Sequence, residues 1–95
     1  MLKHVVLMKL RADVTEQDIE EMSRGLAGLP ARIPEIRGYH FGRDVRPERT
    51  YDFALVSDFD DSNALHRYQV HPDHVAVGAL VRRLSETFAA VDFLY

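Results

Sequence analysis

Cysteine is absent from this 95-residue chain. That excludes disulfides, thiolate catalysis and cysteine-ligated zinc, and it suits a reducing compartment such as the cytosol. Long hydrophobic runs are absent as well. The apolar stretch from Val5 to Met8 is too short for a signal-peptide core or a membrane span, so a cytoplasmic protein with no membrane partner is expected. No glycine-rich phosphate loop occurs, and no cofactor is predicted. Nor is there an excess of positive charge, since the formal net charge is −3. Phosphate backbones need clustered, uncompensated cations, so no nucleic acid partner is expected. Arg43, Arg46 and Arg49 do cluster, but Asp44 and Glu48 alternate with them, as in a solvated loop. Repeats and low-complexity segments are missing too.

What remains is a globular composition, 46% hydrophobic and 28% charged, in a chain long enough for one domain over residues 1–95. Such a domain buries only about 60–68% of the surface its unfolded chain exposes. From Lys3 to Leu10 both alternating faces are apolar, which predicts a strand covered on both sides. Thr15 reads as an N-cap, with Asp18 completing a capping box. Ile19, Met22, Leu26 and Leu29 follow at helical spacing, predicting an amphipathic helix to about Leu29. Strands are predicted over Ile36 to Asp44 and Tyr51 to Phe59. A short helix is predicted over Asn63 to Tyr68 behind an Asp60-Asp61-Ser62 cap. Pro72 opens a longer helix with a stripe of Ala76, Leu80, Leu84 and Phe88, and Phe88 to Tyr95 closes the chain as a strand.

The order is βαββαβ, which predicts an α+β, ferredoxin-like protomer: an antiparallel four-stranded sheet with its helices on one face. The uncovered face should still be apolar, because the strands are hydrophobic on both sides. A second copy laid sheet to sheet would hide it, so the expected partner is the chain itself, as a homodimer.

The stretch Tyr68-Gln69-Val70-His71-Pro72-Asp73-His74 gathers a phenol, two imidazoles and a carboxylate at a helix start. The positive end of the helix dipole disfavours imidazolium there and keeps the rings neutral. His74 can then act as a general base while Tyr68 donates a hydrogen bond to a carbonyl oxygen. The plainer reading makes Tyr68 an apolar anchor and bonds His74 to a backbone carbonyl. His71 falls at the cap position and is also a candidate substrate contact. His71 and His74 supply only two ligands where a metal site needs three or four, so no metal is predicted. His4 shares a strand face with Val6, Met8 and Leu10. If that face lines the barrel interior, His4 is one of the few polar groups in a largely apolar pocket. Val6, Tyr39, Phe41, Phe53 and Leu55 are then its candidate substrate-binding walls. His40 and His66 read as surface residues.

Five stretches together resemble the stress-responsive dimeric α/β-barrel (Dabb) family. They are His4 to Leu10, Gly42 to Val45, Tyr51 to Phe59, Tyr68 to Val75, and Val91-Asp92-Phe93. The resemblance spans essentially the whole chain, in order and with matching spacing. It implies ferredoxin-like protomers paired into a barrel. It further implies a stress-response protein that binds a small, largely apolar molecule in a barrel cavity. In a plant polyketide cyclase of the family, the tyrosine and the second histidine of the long motif act on the substrate. Those positions correspond to Tyr68 and His74, and a pocket-lining strand histidine corresponds to His4. The alternative implied is therefore a cyclase or lyase that performs aldol-type chemistry with those residues. A cofactor-free monooxygenase, a chemistry found in other dimeric α+β barrels, ranks below both.

Overall fold

Residues 1–95 are all described by the computed structural model. Strand β1 (Leu2–Leu10) sits inside the sheet, between β3 (Phe53–Phe59) and β4 (Ser85–Leu94). β2 (Gly38–Arg43) adds to the far edge of β3, giving the order β2-β3-β1-β4 with every neighbouring pair antiparallel. Helices α1 (Glu16–Ala27), α2 (Ser62–Val70) and α3 (Pro72–Leu84) complete the chain. This is the predicted ferredoxin-like order, with the second helical segment broken in two.

Each break has a local cause. Thr15 and Asp18 form the reciprocal capping box, with bonds of 3.1 and 3.0 Å. α1 stops at Ala27, short of the predicted Leu29, where the Leu29 N–H switches to the Leu26 carbonyl at i−3 and tightens the last turn. Leu29 is still buried beneath that end. Asp61 caps α2 by accepting the Ala64 N–H at 2.8 Å. His71 precedes a proline, which pushes it out of the helical region (φ −62°, ψ 134°) and separates α2 from α3.

The stripe predicted for the last helix needs correction. Ala76 is exposed, and the residues of α3 packed on the core are Val77, Leu80, Val81 and Leu84. Phe88 is not helical. α3 ends at Leu84, Ser85 turns extended (φ −94°, ψ 132°), and β4 starts there without a loop. An irregularity at Lys9/Leu10 lets Ser85 pair with Leu10. Phe88 falls on the i+4 period only by coincidence.

Register decides which way the side chains point. Leu2, His4 and Met8 of β1 and Phe53, Leu55, Ser57 and Phe59 of β3 are buried on the helix side. Tyr68, Phe53 and Phe59 are the largest side chains fully enclosed there. α1 and α3 cross closely: a Cβ on Gly25 would lie 3.3 Å from Val77 Cγ2. The opposite face carries Val5, Leu7, Ala54, Val56, Val91 and Phe93, none of them buried. Val91 is 61% exposed and Phe93 45%, so this apolar face has nothing over it within one protomer. No helix is long and apolar enough to cross a membrane.

Candidate active site

Breaking the helix at His71 places the last turn of α2 beside the first turn of α3. Tyr68 and His74 therefore meet, with ring centroids 4.2 Å apart and planes tilted by 46°. Both line a cavity of about 180 Å³ between the sheet and α3, whose other walls include Val6, Met8, Leu55, Val81 and Phe88. His4 enters from β1. The pocket is largely apolar with a few polar groups converging on it, the usual make-up of a small-molecule site. A larger cleft of about 350 Å³ lies at the Leu10 end of β1, but it holds no histidine. Two of its arginines are paired within it, Arg43 with Glu16 and Arg49 with Asp52.

The position of His4 corrects the reading of its strand face as a barrel interior. That face is the one the helices cover, so the cavity lies inside one protomer and not between two sheets. Both faces of β1 are apolar, and alternation alone could not say which was inward. Among the other predicted contacts, Val6 and Leu55 line the cavity, whereas Tyr39, Phe41, Phe53 and His71 do not. Tyr39 touches it at second hand, through a 2.8 Å bond between its hydroxyl and that of Tyr68. Phe41 packs edge-on to Tyr39 and stacks on Phe53, behind the cavity wall. His71 works as a cap: its Nδ1 accepts the Asp73 N–H at 3.1 Å, while its own N–H closes α2 onto the Tyr68 carbonyl.

The two imidazoles and the phenol in the cavity each have one side already engaged. Nδ1 of His74 lies 3.1 Å from the Gln69 carbonyl oxygen, which can only accept, so Nδ1 carries the proton. Nε2 is then the basic nitrogen. Burial lowers the His74 pKa below its ordinary 6.5; the Gln69 bond opposes this, and His4, Arg82 and His71 add to it. The ring is neutral at pH 7. Burial likewise raises the Tyr68 pKa, opposed by the Tyr39 bond, and burial with the Tyr68 contact raises that of Tyr39 further. Either hydroxyl can donate in that bond; when Tyr39 donates, the Tyr68 O–H is free for another acceptor. Tyr68 is fully buried where it lines the cavity.

Sequence reasoning missed Asp92, Gln69, Gly78 and Arg82. His4 Nδ1 is hydrogen-bonded to the Asp92 carboxylate, directly across the β1–β4 ladder. That partner holds Nδ1 and orients the ring, the role a carboxylate plays behind many functional imidazoles. The only sequence signal was one acid within the apolar stretch Phe88 to Tyr95, 88 residues away. Gly78 forms part of the cavity wall, where an added Cβ would meet only His74 Cε1, at 3.9 Å. Alanine is favoured over glycine in a helix interior by about 0.8–1.0 kcal/mol. Gly78→Ala is therefore expected to raise unfolding free energy in urea by about that amount while narrowing the cavity. A loss of stability would show that the space is not there.

The family model of the stress responsive A/B barrel domain matches residues 2–94. Stress-response A/B barrel domain-containing protein HS1 of Arabidopsis thaliana is 28% identical over 95 residues, covering 97% of this chain and 87% of that protein. Olivetolic acid cyclase of Cannabis sativa is 26% identical over 95 residues, covering 97% and 94%. A dimeric ferredoxin-like protein from Thermobifida fusca superposes with a TM-score of 0.91 at 36% identity, covering 99% of this chain and 90% of that one. By fold, by sequence and over nearly its full length, this chain belongs to the stress-responsive A/B barrel domain family.

Proposed function

We propose that this protein binds a small, largely apolar carbonyl compound between its sheet and α3 and moves a proton on it, in a cyclase- or lyase-type reaction. The observation that carries this reading is an imidazole and a phenol on one cavity, the first bonded to the Gln69 carbonyl and the second to the Tyr39 hydroxyl. Nε2 of His74 takes a proton from the carbon next to a carbonyl. The electron pair moves toward the carbonyl oxygen, and the Tyr68 O–H donates to that oxygen as its charge builds. The enolate then attacks a second carbonyl or regains a proton. His4, held by Asp92, offers a second polar contact for orienting the compound. Olivetolic acid cyclase among the relatives supports this class.

A second copy of the chain covers the open sheet face in this reading, consistent with the dimeric relative. The non-catalytic alternative, a stress-response protein that only holds its ligand, draws on the backbone bond of His74. That bond occupies Nδ1 alone. It fixes the tautomer that a base requires.

The test is solvent deuterium incorporation at the carbon between the carbonyls of a medium-chain 3-keto ester, followed above the buffer rate by NMR. Wild-type protein is expected to accelerate it. Tyr68→Phe, which keeps the ring, is expected to lower the acceleration about 10²–10³-fold, as loss of an oxyanion donor does. An unchanged rate would remove Tyr68 from the chemistry, and no acceleration by the wild type would favour the binding role.

A further inference from the structure

The cavity has a charged end that the acid–base reading does not use. Most arginines of this chain are ion-paired: Arg11, Arg24, Arg37, Arg43, Arg46, Arg49 and Arg67 each have a carboxylate partner. Arg32, Arg82 and Arg83 form no such pair, and of these only Arg82 lines the cavity. It is an unpaired guanidinium in a protein of net charge −3, where partners are plentiful.

Spacing on α3 gives this cation a geometric relation to the base. His74, Gly78 and Arg82 follow at i, i+4 and i+8, so all three fall on one helix face, and all three line the cavity. About 12 Å of helix axis separates the first from the last. The middle position has no side chain, which leaves open floor between imidazole and guanidinium. Val6, Met8 and Phe88 form apolar walls. The cavity thus has His74 and Tyr68 near the start of α3, apolar walls, and an exposed, unpaired arginine two turns further along the same helix face.

We propose that Arg82 selects ligands carrying a carboxylate, so that the site takes an elongated apolar acid whose far end is presented to Tyr68 and His74. This rests on the ligand-binding reading above and adds the charge class of the ligand. A guanidinium binds a carboxylate through two parallel N–H donors, which orients as well as attracts. Anchored there, the acid has its opposite end directed along the cavity toward the base. A neutral compound of the same length has no such anchor and gains only from burial. Arg82 is a specificity and positioning residue in this account, not one that touches the reacting atoms.

Octanoate and 1-octanol, similar in length and differing in the charged end, are the probes, measured by titration calorimetry on the full chain at low salt. Wild type is expected to bind octanoate at least 10-fold more tightly than octanol. Arg82→Gln should bring octanoate to the octanol level and leave octanol unchanged. Arg83→Gln removes the same charge from the next residue, outside the cavity, and should preserve the preference. Equal binding of both probes by wild type overturns the proposal while leaving the cavity reading intact. So does an Arg83→Gln loss as large as that of Arg82→Gln, which would indicate a general field. If neither probe binds, the ligand-binding reading falls along with it.

Discussion

Val91→Glu is expected to turn a two-chain particle into single chains. Val91 lies on the open sheet face, on edge strand β4 opposite Val5 of β1, and is 61% exposed in the protomer. If a second copy covers that face, a symmetric pair places two unpartnered carboxylates in an apolar interface. Burying each costs several kcal/mol, so the dimer should weaken at least 100-fold, about 2.7 kcal/mol. Sedimentation at micromolar concentration should give twice the 10.9 kDa chain mass for wild type and the single mass for the variant. Ala76→Glu, on the exposed side of α3, should leave the dimer intact. A Val91→Glu protein still at double mass would mean that copies associate elsewhere, or not through the sheet.

His74→Ala carries the second large effect. Removing a general base typically costs 10²–10⁴ in rate, so deuterium incorporation should fall by that factor, with dimer mass and thermal unfolding close to wild type. His74→Gln keeps more of the side-chain volume and should be equally inactive, which separates lost chemistry from a void beside Tyr68. The pH dependence follows from the lowered pKa of this ring. Between the folded value and 6.5, the unfolded chain binds the proton that the folded chain refuses, so stability falls as pH drops through that window. Above 6.5 both forms are neutral and the group contributes no slope. Activity needs the neutral ring, so its acid limb should lie below 6.5 and disappear in His74→Gln. A rate that survives in both variants would leave the base role unsupported.

Much of this fold was legible in the sequence because its signals are local. Thr15 and Asp18 sit three residues apart, and the restriction that Pro72 places on His71 acts on the adjacent residue; both produce the expected breaks. The meeting of Tyr68 and His74 follows from the same proline, since it ends one helix and starts the next. The inward face of β1 was not legible. His4 and Val5 head two equally apolar faces, and the choice depends on helices that arrive from distant sequence. Asp92 became part of the site only through strand register across 88 residues. Phe88 misled because a fourth apolar residue at i+4 is indistinguishable from a continuing helix until Ser85 turns the chain. Arg82 and Gly78 carry no local signal, and only the packing of α3 on the sheet brings them to the cavity with His74.

The orientation of one imidazole underlies the catalytic reading, and a long-range proton–nitrogen NMR titration of His74 observes it directly. Nδ1 should carry the proton at pH 7, bonded to the Gln69 carbonyl, with Nε2 bare and the ring titrating below 6.5. Tyr68→Phe should leave that tautomer in place. A proton on Nε2, or a titration at or above 6.5, would mean that the cavity holds no ready base at this position.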